Sequence, residues 1–84
     1  MSPGQCRAAR AFLGLTRMEL ALAAGLTDTT VVSFERGLRT PHHHNIAALR
    51  AVLESKGIEF LSLEEGKDGL LLPFDIQFPP ERED

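Results

Sequence analysis

Residues that begin and end helices divide the first two thirds of the chain into short segments. Of all the features of the sequence, these residues limit the possible folds most. Ser2 can cap a helix that begins with Pro3, while Gln5 is placed to return a capping-box hydrogen bond. Thr16 and Glu19 repeat the capping-box arrangement. Helix ends are predicted at the glycines that follow each apolar stripe, namely Gly14, Gly25, Gly37 and Gly57.

Apolar residues recur at helical spacing between these signals and predict four helices. Thr27 can cap the third helix, which carries Asp28 in its first turn and buries Val31 and Phe34. This segment is rich in β-branched residues, so its helix depends more on tertiary packing than on propensity. The fourth helix follows Thr40-Pro41, and its apolar stripe consists of Ile46, Leu49, Val52 and Leu53.

After Gly57, apolar residues recur at every second position instead of at helical spacing, which predicts strands rather than a fifth helix. Residues 58–61 and 70–72 flank a turn-rich segment at 64–69, the pattern of a β-hairpin. Phe74, Ile76 and Phe78 are a possible third strand. The expected fold is mainly α: a four-helix domain over residues 1–57, a β-hairpin or small sheet over residues 58–78, and a disordered tail over residues 79–84.

Charge is divided unevenly along the chain. Residues 1–57 carry seven Lys/Arg against four Asp/Glu, a balance of +3, whereas residues 58–84 carry two against eight, a balance of −6. The first part is suited to meet phosphates, and the second part should face away from them. Cys6 is the single cysteine, which fits a reducing compartment. No signal pattern or membrane-length apolar stretch is seen, so a soluble, cytoplasmic protein without membrane association is expected.

Between the second and fourth helices, the order and spacing of several residues suit two short helices joined by a tight turn. Ala21 is small enough for two helices to cross closely, Gly25 allows a tight turn, and Val31 with Phe34 anchors the later helix of this pair, the third in the chain. The larger ordered set consists of Leu15–Ala21, Gly25–Thr27, Val31, Phe34–Gly37 and Arg39–Pro41. This set resembles the Cro/repressor-type (XRE-like) helix-turn-helix family of DNA-binding regulators, and the resemblance covers about residues 3–57. It implies a sequence-specific transcription regulator that binds double-stranded DNA as a dimer, with the helix at residues 28–36 in the major groove.

The resemblance also implies roles for individual residues. Base contacts are expected from Asp28, Thr29, Val32 and Ser33, and phosphate contacts from Arg17, Thr27, Arg36 and Arg39. Arg10 and Glu35 are expected to form a structural ion pair. The alternative is that these are ordinary surface residues, caps and separate solvated charges, and Asp28 in particular fits a first-turn residue that complements the helix dipole.

Other residues with reactive side chains do not predict a catalytic or metal site. His42, His43 and His44 are three adjacent loop imidazoles without a nearby Cys or carboxylate cluster, so loop and capping roles, or one phosphate contact, are favoured over a metal. Cys6 has the spacing of a core residue. No enzymatic activity and no cofactor are therefore expected.

The C-terminal segment leaves two further questions open. Residues 58–78 are expected to build a homodimer, because an isolated hairpin is marginal in water, but the strands can instead pack on their own helices. The second functional interpretation is an antitoxin-like or other protein-interaction module with secondary DNA binding, whose C-terminal segment contacts a protein partner.

Overall fold

The computed structural model describes residues 1–63 and 66–73, which form four helices and one hairpin. The helices are α1 (Pro3–Leu13), α2 (Arg17–Ala24), α3 (Asp28–Glu35) and α4 (His43–Ser55), and the strands are β1 (Glu59–Ser62) and β2 (Asp68–Leu71). The expectation of a mainly α fold with a C-terminal hairpin is confirmed. The predicted third strand at Phe74, Ile76 and Phe78, the tail at 79–84 and two predicted turn residues, 64 and 65, lie outside the described residues.

Both capping boxes begin helices as the sequence predicts. The Ser2 hydroxyl accepts from the Gln5 backbone N–H at 3.1 Å, and the Gln5 side chain accepts from the Ser2 N–H at 2.9 Å. Thr16 and Glu19 make the equivalent pair at 3.0 and 2.8 Å. Gly25 follows α2 with a φ of 75°, in the left-handed region that glycine adopts without strain.

The helix that was expected over residues 28–36 is one residue shorter in the structure. It ends at Glu35, and Arg36 is its C-cap. Gly37 follows with a φ of 71°. The chain can therefore turn away from α3 and run to Pro41 before α4 begins.

The core lies between the four helices and the start of the hairpin. α2 packs against both α3 and α4, and α1 packs against α3, α4 and β2. The buried apolar residues are Cys6, Ala9, Leu20, Ala21, Val31, Phe34, Leu49, Leu53 and Ile58. Ile58 is only 1% exposed, so the first residue after Gly57 already belongs to this core.

The hairpin packs on its own helices. Phe60 pairs with Leu70 in the antiparallel register, and both pack against the core. The side-chain amide of Gln5 donates from Nε2 to the carbonyl oxygens of Leu61 at 3.1 Å and Gly69 at 2.9 Å. Of the arrangements that the sequence leaves open, the structure therefore contains the one in which the strands pack on the helical part. No helix among the described residues has the length and apolar character needed to cross a membrane.

Candidate nucleic-acid interface

A polar pocket of about 250 Å³ lies between α3 and the chain that leads into α4. Hydroxyl groups, a guanidinium and a side-chain amide line it, from Thr29, Thr30, Ser33, Arg39, Thr40, Pro41 and Asn45. Two of the predicted base-contact residues, Thr29 and Ser33, thus meet the predicted phosphate-contact residue Arg39 in one concave surface. The lining can both donate and accept hydrogen bonds, and it carries positive charge.

Helical spacing explains why Thr29 and Ser33 share this surface. They are four residues apart, and residues at that spacing lie on one face of a helix. Val31 and Phe34 are buried in the core from another face of the same helix. Thr27 caps α3, since its hydroxyl accepts from the Thr30 N–H at 3.4 Å. Burial of the apolar side therefore fixes which side of α3 faces outward.

The other predicted contact residues lie outside the lining of the pocket. Asp28 is exposed in the first turn of α3, and Val32 is half-buried. Arg36 is exposed at the C-terminal end of the helix. Neither Arg36 nor Arg39 pairs with a carboxylate among residues 1–63 and 66–73. Both guanidinium groups are therefore available to an external anion.

Glu35 is a buried carboxylate held by arginine. Its side chain is 0% exposed, and Arg10 binds it in a bidentate manner, Nε to Oε2 at 2.8 Å and Nη2 to Oε1 at 3.0 Å. Arg10 also donates from Nη1 to the carbonyl oxygen of Leu15 at 2.8 Å. The structure thus places the two residues of the predicted ion pair in direct contact, and they join α1 to the end of α3.

Arg17 also contacts Glu35, which the sequence did not indicate. Its Nε lies 3.1 Å from Oε1, and its side chain is 42% exposed. The Nη atoms of Arg17 bond to no residue in the part of the chain that the structure describes. One side of this guanidinium is therefore fixed on Glu35, and the other side remains free to bind a phosphate.

Two residues of α1 complete the surroundings of Glu35 and were missed at the sequence level. Arg7 donates from Nη1 to the Glu35 backbone carbonyl, and the Cys6 thiol donates to Oε2 at 3.4 Å. The spacing of Cys6 and Arg10, four residues apart, places them on one face of α1 and is the signal that was available. The spacing alone does not reveal which carboxylate they meet.

The pKa values of this cluster follow from burial and from the arginine charge. Burial raises the pKa of the Glu35 carboxyl, but the hydrogen bonds and charge of Arg10 outweigh it and hold that pKa below its usual value. The hydrogen bond to Glu35 raises the pKa of Arg10. Burial, with the nearby Glu35 charge, raises the pKa of the Cys6 thiol to about 12. Glu35 is therefore ionised and Cys6 is a neutral thiol at neutral pH.

The histidines lie at the beginning of α4, beside the pocket. His42 is the N-cap, and its Nδ1 accepts from the His44 backbone N–H at 3.1 Å. The His42 ring stacks on those of His43 and His44, with centroids 4.3 and 4.8 Å away. Pro41 and Asn45, which line the pocket, flank the three residues in the chain.

The chain matches no protein-family model and no curated protein. The features that bear on function are the chain's own: the pocket at α3, the exposed Arg36 and Arg39, and the division of charge along the chain.

Proposed function

We propose that the chain is a sequence-specific DNA-binding transcription regulator of the Cro/repressor helix-turn-helix type, with α3 as the helix that enters the major groove. The observation that carries the proposal is the pocket in which Thr29 and Ser33 meet Arg39. Short hydroxyl side chains are suited to base edges, and a guanidinium beside them is suited to the flanking phosphate.

The packing of α2 and α3 supports this orientation. The two helices contact each other and are joined by residues 25–27, with Gly25 in the left-handed conformation. A helix pair with such a short turn is the arrangement in which the second helix can project from the domain surface. Thr29 and Ser33 lie on the outward side that remains once Val31 and Phe34 are buried.

Arginine side chains in the same part of the chain can bind the phosphates of the DNA backbone. Arg36 and Arg39 are exposed and without a carboxylate partner among the described residues. Arg17 is held in position by Glu35 and keeps its Nη atoms available for a phosphate. The −6 balance of residues 58–84 disfavours phosphate binding by the C-terminal part, which we assign to the side away from DNA.

A homodimer is part of the proposal, because two copies of α3 can read two half-sites about one helical turn apart. The hairpin offers exposed apolar side chains for the contact: Leu63 is 62%, Leu71 50% and Leu72 45% exposed. Burial of such leucines against a second chain would contribute about 25 cal/mol for each Å² of apolar surface removed from water.

The same exposed leucines favour a second candidate function, an antitoxin-like or other protein-interaction module. In this alternative the acidic C-terminal segment binds a protein partner, and DNA binding is secondary. The two candidates differ in what Thr29 and Ser33 do, because only a DNA reader needs these side chains for sequence discrimination.

Selection of binding sites from random duplex DNA tests the proposal, followed by fluorescence anisotropy on the selected duplex and a scrambled one. We expect a two-fold symmetric site, tighter binding to the selected duplex, and loss of affinity in Arg39→Ala. Arg50→Ala is the matched control, since it removes the same charge from α4, where Arg50 pairs with Glu54 at 2.8 Å. Failure to enrich any sequence, or equal affinities for an enriched duplex and its scrambled version, would favour the protein-interaction candidate.

A further inference from the structure

The chain has three histidines, and all of them lie together at the start of α4. Each of His42, His43 and His44 offers one ligand nitrogen, and these atoms lie within 4.8 Å of one another. All three side chains are exposed. Adjacent loop imidazoles are a poor preformed metal site from sequence, but here one nitrogen of each ring lies close to the other two, although the rings are stacked.

We propose that His42, His43 and His44 bind one divalent transition-metal ion of the Zn²⁺ class. Imidazole nitrogens bind Zn²⁺ at about 2.0–2.1 Å, so three of them on one tetrahedral ion lie roughly 3.3 Å apart. The three ligand nitrogens, now within 4.8 Å of one another, must move to this shorter separation. Exposed side chains can make that movement by changing rotamer, without disturbing the core. Water completes the coordination. Mg²⁺ is not expected to bind here, because it prefers oxygen ligands.

Metal binding competes with the cap of α4. A neutral imidazole has one nitrogen with a lone pair, and in His42 that nitrogen, Nδ1, accepts from the His44 N–H. The same lone pair cannot also bind a metal. The bound ion therefore replaces the hydrogen bond that His42 makes at the start of the helix. Metal coordination then orders this segment in place of the cap.

The position of the site links it to the pocket at α3. Pro41 and Asn45, on either side of the histidines, line that pocket together with Arg39. An ion on the histidines adds positive charge next to this surface. If the proposed function is correct, on which this step alone rests, Zn²⁺ strengthens binding to duplex DNA through phosphate attraction.

The test is isothermal titration calorimetry of the full chain, without an affinity tag of histidines, using Zn²⁺ alone and Mg²⁺ as the control ion. His42→Asn removes the imidazole and keeps a residue that is favoured at N-caps. His43→Ala and His44→Ala keep the backbone N–H groups. Circular dichroism before titration tests whether each variant retains its helices, so that loss of metal binding can be distinguished from loss of the fold.

We expect saturable binding of one Zn²⁺ per chain and no saturable binding of Mg²⁺. Each single variant should lose at least roughly 10–100-fold in Zn²⁺ affinity, because substitutions of residues that only support metal ligands already cost that much. No saturable Zn²⁺ binding, one ion per two chains, or undiminished binding in a variant that combines all three substitutions would overturn the site. Anisotropy with and without Zn²⁺ is a separate arm. Zn²⁺ binding to a chain that binds no duplex contradicts the proposed function and leaves the metal site intact.

Discussion

The side-chain amide of Gln5 donates a 2.9 Å hydrogen bond to the carbonyl oxygen of Gly69, a residue 64 positions later in the chain. The same Nε2 donates to Leu61, and Oε1 accepts from the Ser2 N–H. One glutamine therefore caps α1 and ties the two strands of the hairpin to it. Gln5 is 8% exposed, so water cannot readily replace these partners.

Gln5→Glu should loosen the hairpin while it keeps the cap. A glutamate retains an acceptor for the Ser2 N–H, but it has no donor for the Leu61 and Gly69 carbonyls. We expect a loss of about 1–3 kcal/mol in the free energy of unfolding, measured by denaturant titration, and faster amide exchange in the hairpin. Ser2→Ala is the control, since it removes the cap at a cost of about 1 kcal/mol and leaves hairpin protection unchanged. Wild-type protection in Gln5→Glu would show that another contact holds the strands.

Arg10 and Arg17 should differ sharply although both contact Glu35. Arg10→Ala leaves a buried charge without its bidentate partner and should cost about 3–5 kcal/mol in stability. Arg17 is 42% exposed, so Arg17→Ala should cost no more than about 1 kcal/mol. Thermal or denaturant unfolding of both variants measures the difference. In a double-mutant cycle, Arg10→Ala with Glu35→Ala should cost less than the two single changes added; additive costs would contradict the pairing.

Acid should remove the stability that Glu35 contributes. Its pKa is lower in the folded chain than in the unfolded chain, where a glutamate titrates at about 4.3. The contribution is therefore present above that pH and is lost as the pH falls through the lower, folded pKa. The melting temperatures of wild type and Glu35→Gln, measured from about pH 7 to about pH 3, should differ at neutral pH and approach each other in acid. A gap that stays constant over this range would mean that another carboxylate causes the acid sensitivity.

Variants of the pocket should separate base reading from phosphate binding. Arg39→Ala and Arg36→Ala should weaken binding to cognate and scrambled duplexes alike and reduce the slope of log affinity against log salt by roughly one unit for each lost contact. Thr29→Ala and Ser33→Ala should cost about 1–3 kcal/mol at the cognate duplex only. Anisotropy at several salt concentrations measures both effects. Equal losses on both duplexes for the threonine and serine variants would mean that α3 does not read bases.

Local interactions account for what the sequence could predict of the fold. The capping boxes at Ser2 and Thr16 and the turn at Gly25 involve residues within a few positions of one another, so their types and spacing are sufficient. The hairpin was predictable for the same reason, because alternation is a short-range pattern. The Arg10–Glu35 contact was expected only through the family resemblance, since nothing in the spacing of the two residues requires it.

Tertiary contacts account for what could not be predicted. The sequence predicts the capping role of Gln5, but its second role depends on the position of strands more than fifty residues away. For Arg17 the family resemblance predicts only a phosphate contact, because the sequence does not show that α2 brings this residue to Glu35. These two cases require the distance between elements, which residue types and their spacing in the sequence do not give. The proximity of the three histidine nitrogens depends instead on how the chain enters α4 after Pro41.

Because Cys6 is buried, its chemical labelling can report how often the folded chain opens. Its thiol is 0% exposed, its pKa is raised to about 12, and it is the only cysteine. An alkylating reagent needs both access and a thiolate, so it can modify this thiol only after α1 has opened away from the core that covers it. The labelling rate therefore measures how often α1 opens, with no introduced probe. Anything that binds the folded chain and slows this opening becomes detectable through one mass shift.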